Sequence, residues 1–254
     1  RNIVTEDTLI PAPGSLDLPQ TSVPLPNYDR TACGPGAKTT LLHAFEISCN
    51  TAFGYLGLQI GGDGLREQAA KFGFGDTLRI PMRVTPSVVP ADLNPPQTAQ
   101  SAIGQFDVRV TPLQVAMVSA AIANDGVVMR PYLVAQVLGA NLESIDTTRP
   151  EQLSQAVTPE VAAILKRMLV SVVDNGTGRT ARIDGVSVGG KTGTAQQGND
   201  KPPHAWFTAF APAEDPQVAV AVVVEDGGNA GNEAAGGRLA GPIAKAVIEA
   251  VISR

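Results

Sequence analysis

The chain has 254 residues, 43% of them hydrophobic and 17% charged, with a net charge of −5: enough length for one sizeable core and the composition of an ordinary folded protein. Its 19 basic residues are scattered and its aromatics amount to 4%, which excludes nucleic acid as a partner, and no apolar run approaches the ~18 residues a membrane-spanning helix needs. The two histidines, His43 and His204, are too few and too far apart for a metal site, so neither a metal nor a cofactor is expected.

The chain opens RNIVTEDTL, without Met, and reads as an internal stretch of a longer protein. Residues 1–37 are rich in Pro, Gly, Ser and Thr without a sustained period and predict an extended, loop-dominated lead-in. Cys33, near its end, forms the only cysteine pair with Cys49; two buried thiols or one disulfide both fit. From Thr40 the period becomes helical. Leu41, Leu42 and Phe45 share one face, Phe53, Leu56 and Ile60 continue after a break, and two short helices are expected to meet at Ser48, Cys49 and Asn50. Asp63 can cap a further helix through about Lys71, closed by the glycines of KFGFG, and residues 81–96, with five prolines, predict a loop.

The clearest helix is TPLQVAMVSAAIANDG, residues 111–126. Thr111 is its N-cap, Pro112 sits in the first turn, Gln114 completes a capping box, and Asn124, Asp125 and Gly126 form the stop. Leu113, Ala116, Met117, Ala120 and Ala121 recur at helical spacing and assign this helix to the core. Another helix follows Thr158 and Pro159 to about Val173 and stops at DNGTG.

Beyond it the period shifts to strands. GVSVGGKTGTA, AWFTAFAPA and PQVAVAVVVED are three strand-like runs separated by the turn-rich segments QQGNDKPPH and AEDP. VAVAVVV is apolar on both faces, which suits a central strand under helices, and Trp206 reads as a sheet core residue rather than a recognition aromatic. Residues 237–253 close the chain as a helix with Leu239, Ile243, Val247 and Val251 on one face. These pieces predict an α/β protein of the α+β type: an antiparallel sheet covered by helices on both faces, plus an all-helical subdomain. The expected division within one domain, residues 1–254, is a mainly helical part over 38–174 and a part over 183–254 holding the strands and closing helix.

Two short stretches could carry chemistry. Gly189, Gly190 and Gly193 would leave the Lys191 strand bare enough for a second backbone to approach, so an extended peptide could add along it. The ammonium of Lys191 and the hydroxyls of Thr192 and Thr194 would then hold that peptide's terminal carboxylate. A glycine-flanked lysine is otherwise an ordinary solvated turn. Ser48 and Asn50 offer a hydroxyl and an amide at a helix junction, a pair that can relay a proton and hold an acyl carbonyl but that more usually just caps helices.

Taken together, Ser48-Cys49-Asn50 and Lys191-Thr192-Gly193 resemble the second and third active-site motifs of the penicillin-binding proteins and serine β-lactamases. SAIGQ at 101–105, TPLQVAMVSAAIANDGVVMRPYLV at 111–134, KTGTA followed by HAWFTAFAP at 204–212, and the closing helix extend the likeness over most of the chain. It is similar in particular to the transpeptidase domain of class B penicillin-binding proteins of the actinobacterial cell-division type. The resemblance implies a D,D-transpeptidase of peptidoglycan synthesis, acting through a serine acyl-enzyme on the D-Ala-D-Ala terminus of stem peptides and inhibited by β-lactams. It also implies a place on the extracytoplasmic face of the bacterial membrane, and division or cell-wall synthesis proteins as partners.

Carried over onto this sequence, Ser48 would relay a proton toward the leaving amine and Asn50 would bond the catalytic lysine and the substrate amide. Lys191, with Thr192 and Thr194, would hold the carboxylate; the Thr194 N–H would form half of the oxyanion hole, and Gly193 would keep the strand open. One departure matters: no lysine in the chain has a serine three residues before it, so the family's SxxK nucleophile and its activating lysine are absent. The fold is therefore expected to be incomplete and to pair with an upstream SxxK-bearing segment that also carries the anchor. The alternatives are a serine β-lactamase, against which SCN replaces the class A SDN and no Glu for the deacylating water is evident, and a non-catalytic β-lactam sensor or division scaffold.

Overall fold

The structure, a computed structural model, describes residues 4–198 and 201–253. Asn199 and Asp200 of the expected QQGNDKPPH turn, and the first three residues of RNIVTEDTL, lie outside the described residues. In chain order the elements are β1 (Leu9–Pro11), β2 (Ser15–Leu16), β3 (Leu25–Pro26), β4 (Lys38–Thr40), α1 (Leu41–Glu46), α2 (Asn50–Lys71), α3 (Pro95–Ser101) and α4 (Pro112–Ala123). There follow β5 (Val127–Met129), β6 (Gln136–Leu138), β7 (Ser144–Thr147), β8 (Gln152–Gln155), α5 (Pro159–Asp174), β9 (Gly189–Ala195), β10 (His204–Ala211), β11 (Val218–Val224) and α6 (Gly236–Ile252).

The main sheet is antiparallel in the order β11-β10-β9, with Thr208 opposite both Lys191 and Ala221. Helix α6 packs on one face and α4 and α5 on the other, the arrangement expected from the sequence. The central strand, however, is β10. VAVAVVV forms β11, which pairs on one side only among the described residues, and its side chains stay partly exposed. Its two-sided apolar character reflects cover by α4 and α6 rather than a central position.

Helix α6 also turns differently from its most obvious pattern. Ala240, Ala244 and Ile248, spaced by four, are fully buried against the sheet, while Ile243, Val247 and Val251 lie on the outer side at 40–46% exposure. Small residues face the strands because the helix is very close to them: a Cβ on Gly236 would stand 2.1 Å from the Trp206 carbonyl oxygen and 2.4 Å from that of Gly193. The cluster beneath α6 is built from Val173, Val188, Phe207, Ala209 and Ala211, and a second one on the opposite face joins Ile122, Leu169 and Phe210.

The region between the lead-in and β9 holds five α-helices among the described residues, but it also carries the antiparallel pairs β5–β8 and β6–β7, which the helical reading of 38–174 leaves out. α3 falls at the end of the stretch read as loop. Asn94 and Gln97 exchange a reciprocal capping box around Pro95 and Pro96, so the start signal was present in NPPQ. At α4 the reverse holds: Thr111 accepts from the Gln114 N–H as expected, but the buried Gln114 amide does not close a capping box and donates to the Phe72 carbonyl at 2.7 Å. An interior polar side chain takes the acceptor that leaves nothing unsatisfied. Ala120, assigned to the core, is exposed on this helix, whereas Met117 and Ala121 are buried. Residues 50–71 form one helical run broken by Gly61 at φ 80°, ψ 160°, two residues ahead of the start expected at Asp63. Asp63 pairs instead with Arg66 at 2.9 Å.

Candidate active site

The junction between α1 and α2 is a helix stop followed at once by a helix start. The Cys49 N–H donates to the Ala44 carbonyl and the Ser48 N–H to that of Phe45, the paired bonds that end a helix when the residue between is left-handed. That residue is Ser48, at φ 60°, a conformation that favours glycine. Cys49 then becomes the N-cap of α2, which turns Ser48 to the surface with Asn50 two residues on.

Strand β9 approaches this junction from 143 residues away: the Lys191 Nζ donates to Ser48 Oγ at 2.8 Å and to the Thr192 carbonyl at 3.1 Å. The same ammonium stands 5.7 Å from the centroid of Phe45, which is itself packed edge-on against Phe53. The Lys191 side chain is only partly covered, but its charged end lies in this enclosed corner, and burial pulls its pKa down from 10.5 to about 8.

The glycines of VGGKTG have a different role from the one expected. A Cβ on Gly189 would stand 2.3 Å from Phe210 Cζ, and one on Gly190 2.9 Å from Phe207 Cζ. Both positions are buried, and the two rings of β10 fill the space that side chains would take. They make room for the core rather than for a second backbone. Gly193, opposite Trp206 in register, is the partly exposed one of the three, and its Cβ would meet only Trp206 Cβ, at 3.2 Å. Trp206 is half-buried rather than core.

Of the remaining expected residues, Thr192 shares a 2.8 Å hydroxyl contact with Thr177 of the DNGTG stop, whose N–H is held by the Glu46 carbonyl. The Thr194 carbonyl accepts from the Gln105 side chain at 2.9 Å. Thr177 and Gln105 are therefore neighbours of the site that sequence reasoning gave no role, since neither belongs to a motif with chemistry of its own. Asn50 is at the junction, but its amide donates to the Pro26 carbonyl at 3.2 Å. Cys33 and Cys49, left open by the sequence, are joined in a disulfide that ties the lead-in to the junction. His43 pairs with Glu46 at 3.0 Å and His204 accepts from the Asp226 N–H, so each has a structural partner. A groove of about 610 Å³ between α4 and β11 shares none of the site's residues; Met117, Met129 and Val218 are among those lining it.

The chemistry available is that of an ammonium and several hydroxyls along a strand beside a serine hydroxyl. It can bind an anion and pass a proton.

The sequence model of the penicillin binding protein transpeptidase domain matches residues 1–249. The chain is 48% identical over 240 residues to the peptidoglycan D,D-transpeptidase PbpA of Mycolicibacterium smegmatis, covering 92% of this chain and 48% of that protein. To the protein of the same name from Mycobacterium tuberculosis it is 43% identical over 252 residues, 98% of this chain and 51% of the relative. It superposes with a TM-score of 0.94 on penicillin-binding protein A of M. tuberculosis, solved as a ceftriaxone acyl-enzyme complex, at 42% identity over 98% of this chain and 57% of that one. The chain thus spans about half the length of the curated relatives it matches.

Proposed function

The chain belongs to the penicillin-binding protein transpeptidase family, and on that footing we propose that it is the substrate-holding part of a D,D-transpeptidase that cross-links peptidoglycan stem peptides. What supports this most directly is the 2.8 Å bond from Lys191 to Ser48, which brings the KTG strand and the SCN junction into one corner. A relative of the same fold is described as a ceftriaxone acyl-enzyme, so a β-lactam is the natural probe.

In this reading the stem peptide lies along the outer edge of β9, its D-Ala-D-Ala carboxylate held by Lys191, Thr192 and Thr194. A serine of an upstream SxxK segment attacks the penultimate carbonyl, and the Thr194 N–H supplies half of the oxyanion hole, worth on the order of 3 kcal/mol. Ser48 passes a proton to the leaving D-Ala amine, Asn50 orients the substrate amide and the activating lysine, and Gly193 leaves the edge open. The acyl-enzyme then passes its acyl group to the amine of a neighbouring strand, releasing the serine. No described helix is long and apolar enough to cross a membrane, and the anchor at the extracytoplasmic face is assigned to the same upstream segment. Division or cell-wall synthesis proteins are the further partners. The unpaired edge of β11 and the groove beside α4 are where added strands of that segment would complete the sheet.

The test is labelling of the full-length parent by a fluorescent penicillin, with the label mapped by peptide mass. Label on an SxxK serine outside residues 1–254, and release of D-Ala from a pentapeptide, are the expected results. A parent that takes no label overturns the reading, and fast turnover of a chromogenic cephalosporin would move it to a β-lactamase.

A further inference from the structure

Helix α2 starts without a cap of its own. Its N-cap residue is Cys49, whose sulfur is bonded to Cys33, and no side chain at that position accepts from the first turn. The acceptor comes from the lead-in: Asn27 Oδ1 takes the Thr51 N–H at 3.0 Å, from 24 residues away. Asn27 is 6% exposed, and its amide can sit only one way round. Nδ2 donates to the Pro13 carbonyl at 2.9 Å and the Thr31 carbonyl at 2.8 Å, so a flipped amide would set oxygen against oxygen and leave the Thr51 N–H unmet. Nδ2 also lies 3.2 Å from Cys33 Sγ, and the fully buried Thr51 donates its hydroxyl to the same Pro13 carbonyl at 2.8 Å.

The residue just before Asn27 holds the other half of the motif, since the Pro26 carbonyl accepts from Asn50 Nδ2. One short shoulder of the lead-in therefore grips three consecutive residues, 49 to 51, through a disulfide, a side-chain bond and a borrowed cap. Ser48, next in line, is left-handed and has no helix of its own to fix it.

We propose that Asn27 is a positioning residue of the active site: by capping α2 from outside it sets where Ser48 and Asn50 stand relative to Lys191. The inference rests on the transpeptidase reading of that site. Asn27 touches no reacting atom, so its loss should slow acylation without weakening recognition of the carboxylate held on β9.

The experiment measures penicillin acylation of the full-length parent carrying Asn27→Ala, separating the maximal acylation rate from the half-saturating concentration, with the thermal midpoint recorded alongside. The maximal rate is expected to fall about tenfold with the half-saturating concentration unchanged, the size of effect a lost cap gives when it reaches the transition state. Asn27→Gln keeps both the oxygen for the Thr51 N–H and the NH2 group for the Pro13 and Thr31 carbonyls and should recover part of the rate; it also serves if the alanine variant does not fold. A folded alanine variant that acylates at the parental rate overturns the proposal, as does a folded glutamine variant no faster than alanine. If the unsubstituted parent itself is not acylated, it is the transpeptidase reading that fails.

Discussion

Ser48 occupies a backbone conformation that costs an L-residue about 1 kcal/mol, at the point where α1 must stop and α2 begin. Ser48→Gly and Ser48→Ala both remove the hydroxyl that meets Lys191, so they should reduce acylation of the parent alike, by about a hundredfold. They should part in stability, the glycine variant being about 1 kcal/mol more stable than the alanine variant in denaturant unfolding. Equal stabilities would mean that Ser48 is not left-handed in solution. At Lys191, burial holds the native pKa near 8, below the 10.5 of the unfolded chain. Between those values the unfolded state binds more protons, so stability contributed by this group rises with pH from about 8 to 10.5; below 8 the full cost of burying the charge is present. Unfolding midpoints of the wild type minus those of Lys191→Met should show that rise, while binding of a carboxylate ligand weakens over the same window as the charge is lost. The motif residues were legible in the sequence because their types carry the chemistry. Their neighbours Thr177, Gln105 and Asn27 were not, because each acts through a contact made by folding.

At the level of elements, close approach decides which face of each element turns inward. Gly189 and Gly190 read as an open strand edge, yet the rings of Phe210 and Phe207 occupy their places. Gly189→Ala should therefore cost about 1–3 kcal/mol, as overpacking of a core does, and Gly193→Ala distinctly less, because its one close neighbour is the Cβ of half-buried Trp206. Similar losses for both would show that Phe210 has room to shift. The cap of α4 was readable because one residue type suffices: Thr111 accepts from the first turn of its helix, as Thr40 and Thr158 also do at α1 and α5. Helix α6 was readable as a helix but not in its orientation, since both its small and its branched residues recur every four positions. The sheet selects the small face because bulky side chains there would push the helix away from Gly193 and Trp206.

For the molecule as a whole, the edge of β11 that no described strand pairs with and the groove beside α4 lie on the far side of the sheet from Lys191. If an SxxK-bearing segment completes the sheet there, adding it as a separate polypeptide should raise the thermal midpoint of residues 1–254, increasingly with its concentration. Absence of any shift at saturating concentration would count against that docking. The sequence by itself determined the three strands of the main sheet, most of the longer helices, the family likeness and the two motifs, because periodicity, capping chemistry and reactive residue types are local properties. Only the tertiary structure decided that β10 rather than β11 is central, that the glycines of β9 admit phenylalanine rings, that Cys33 and Cys49 are joined, and that Lys191 meets Ser48. Each of these depends on atoms far apart in the chain coming within van der Waals or bonding distance, and no one-dimensional pattern encodes that distance.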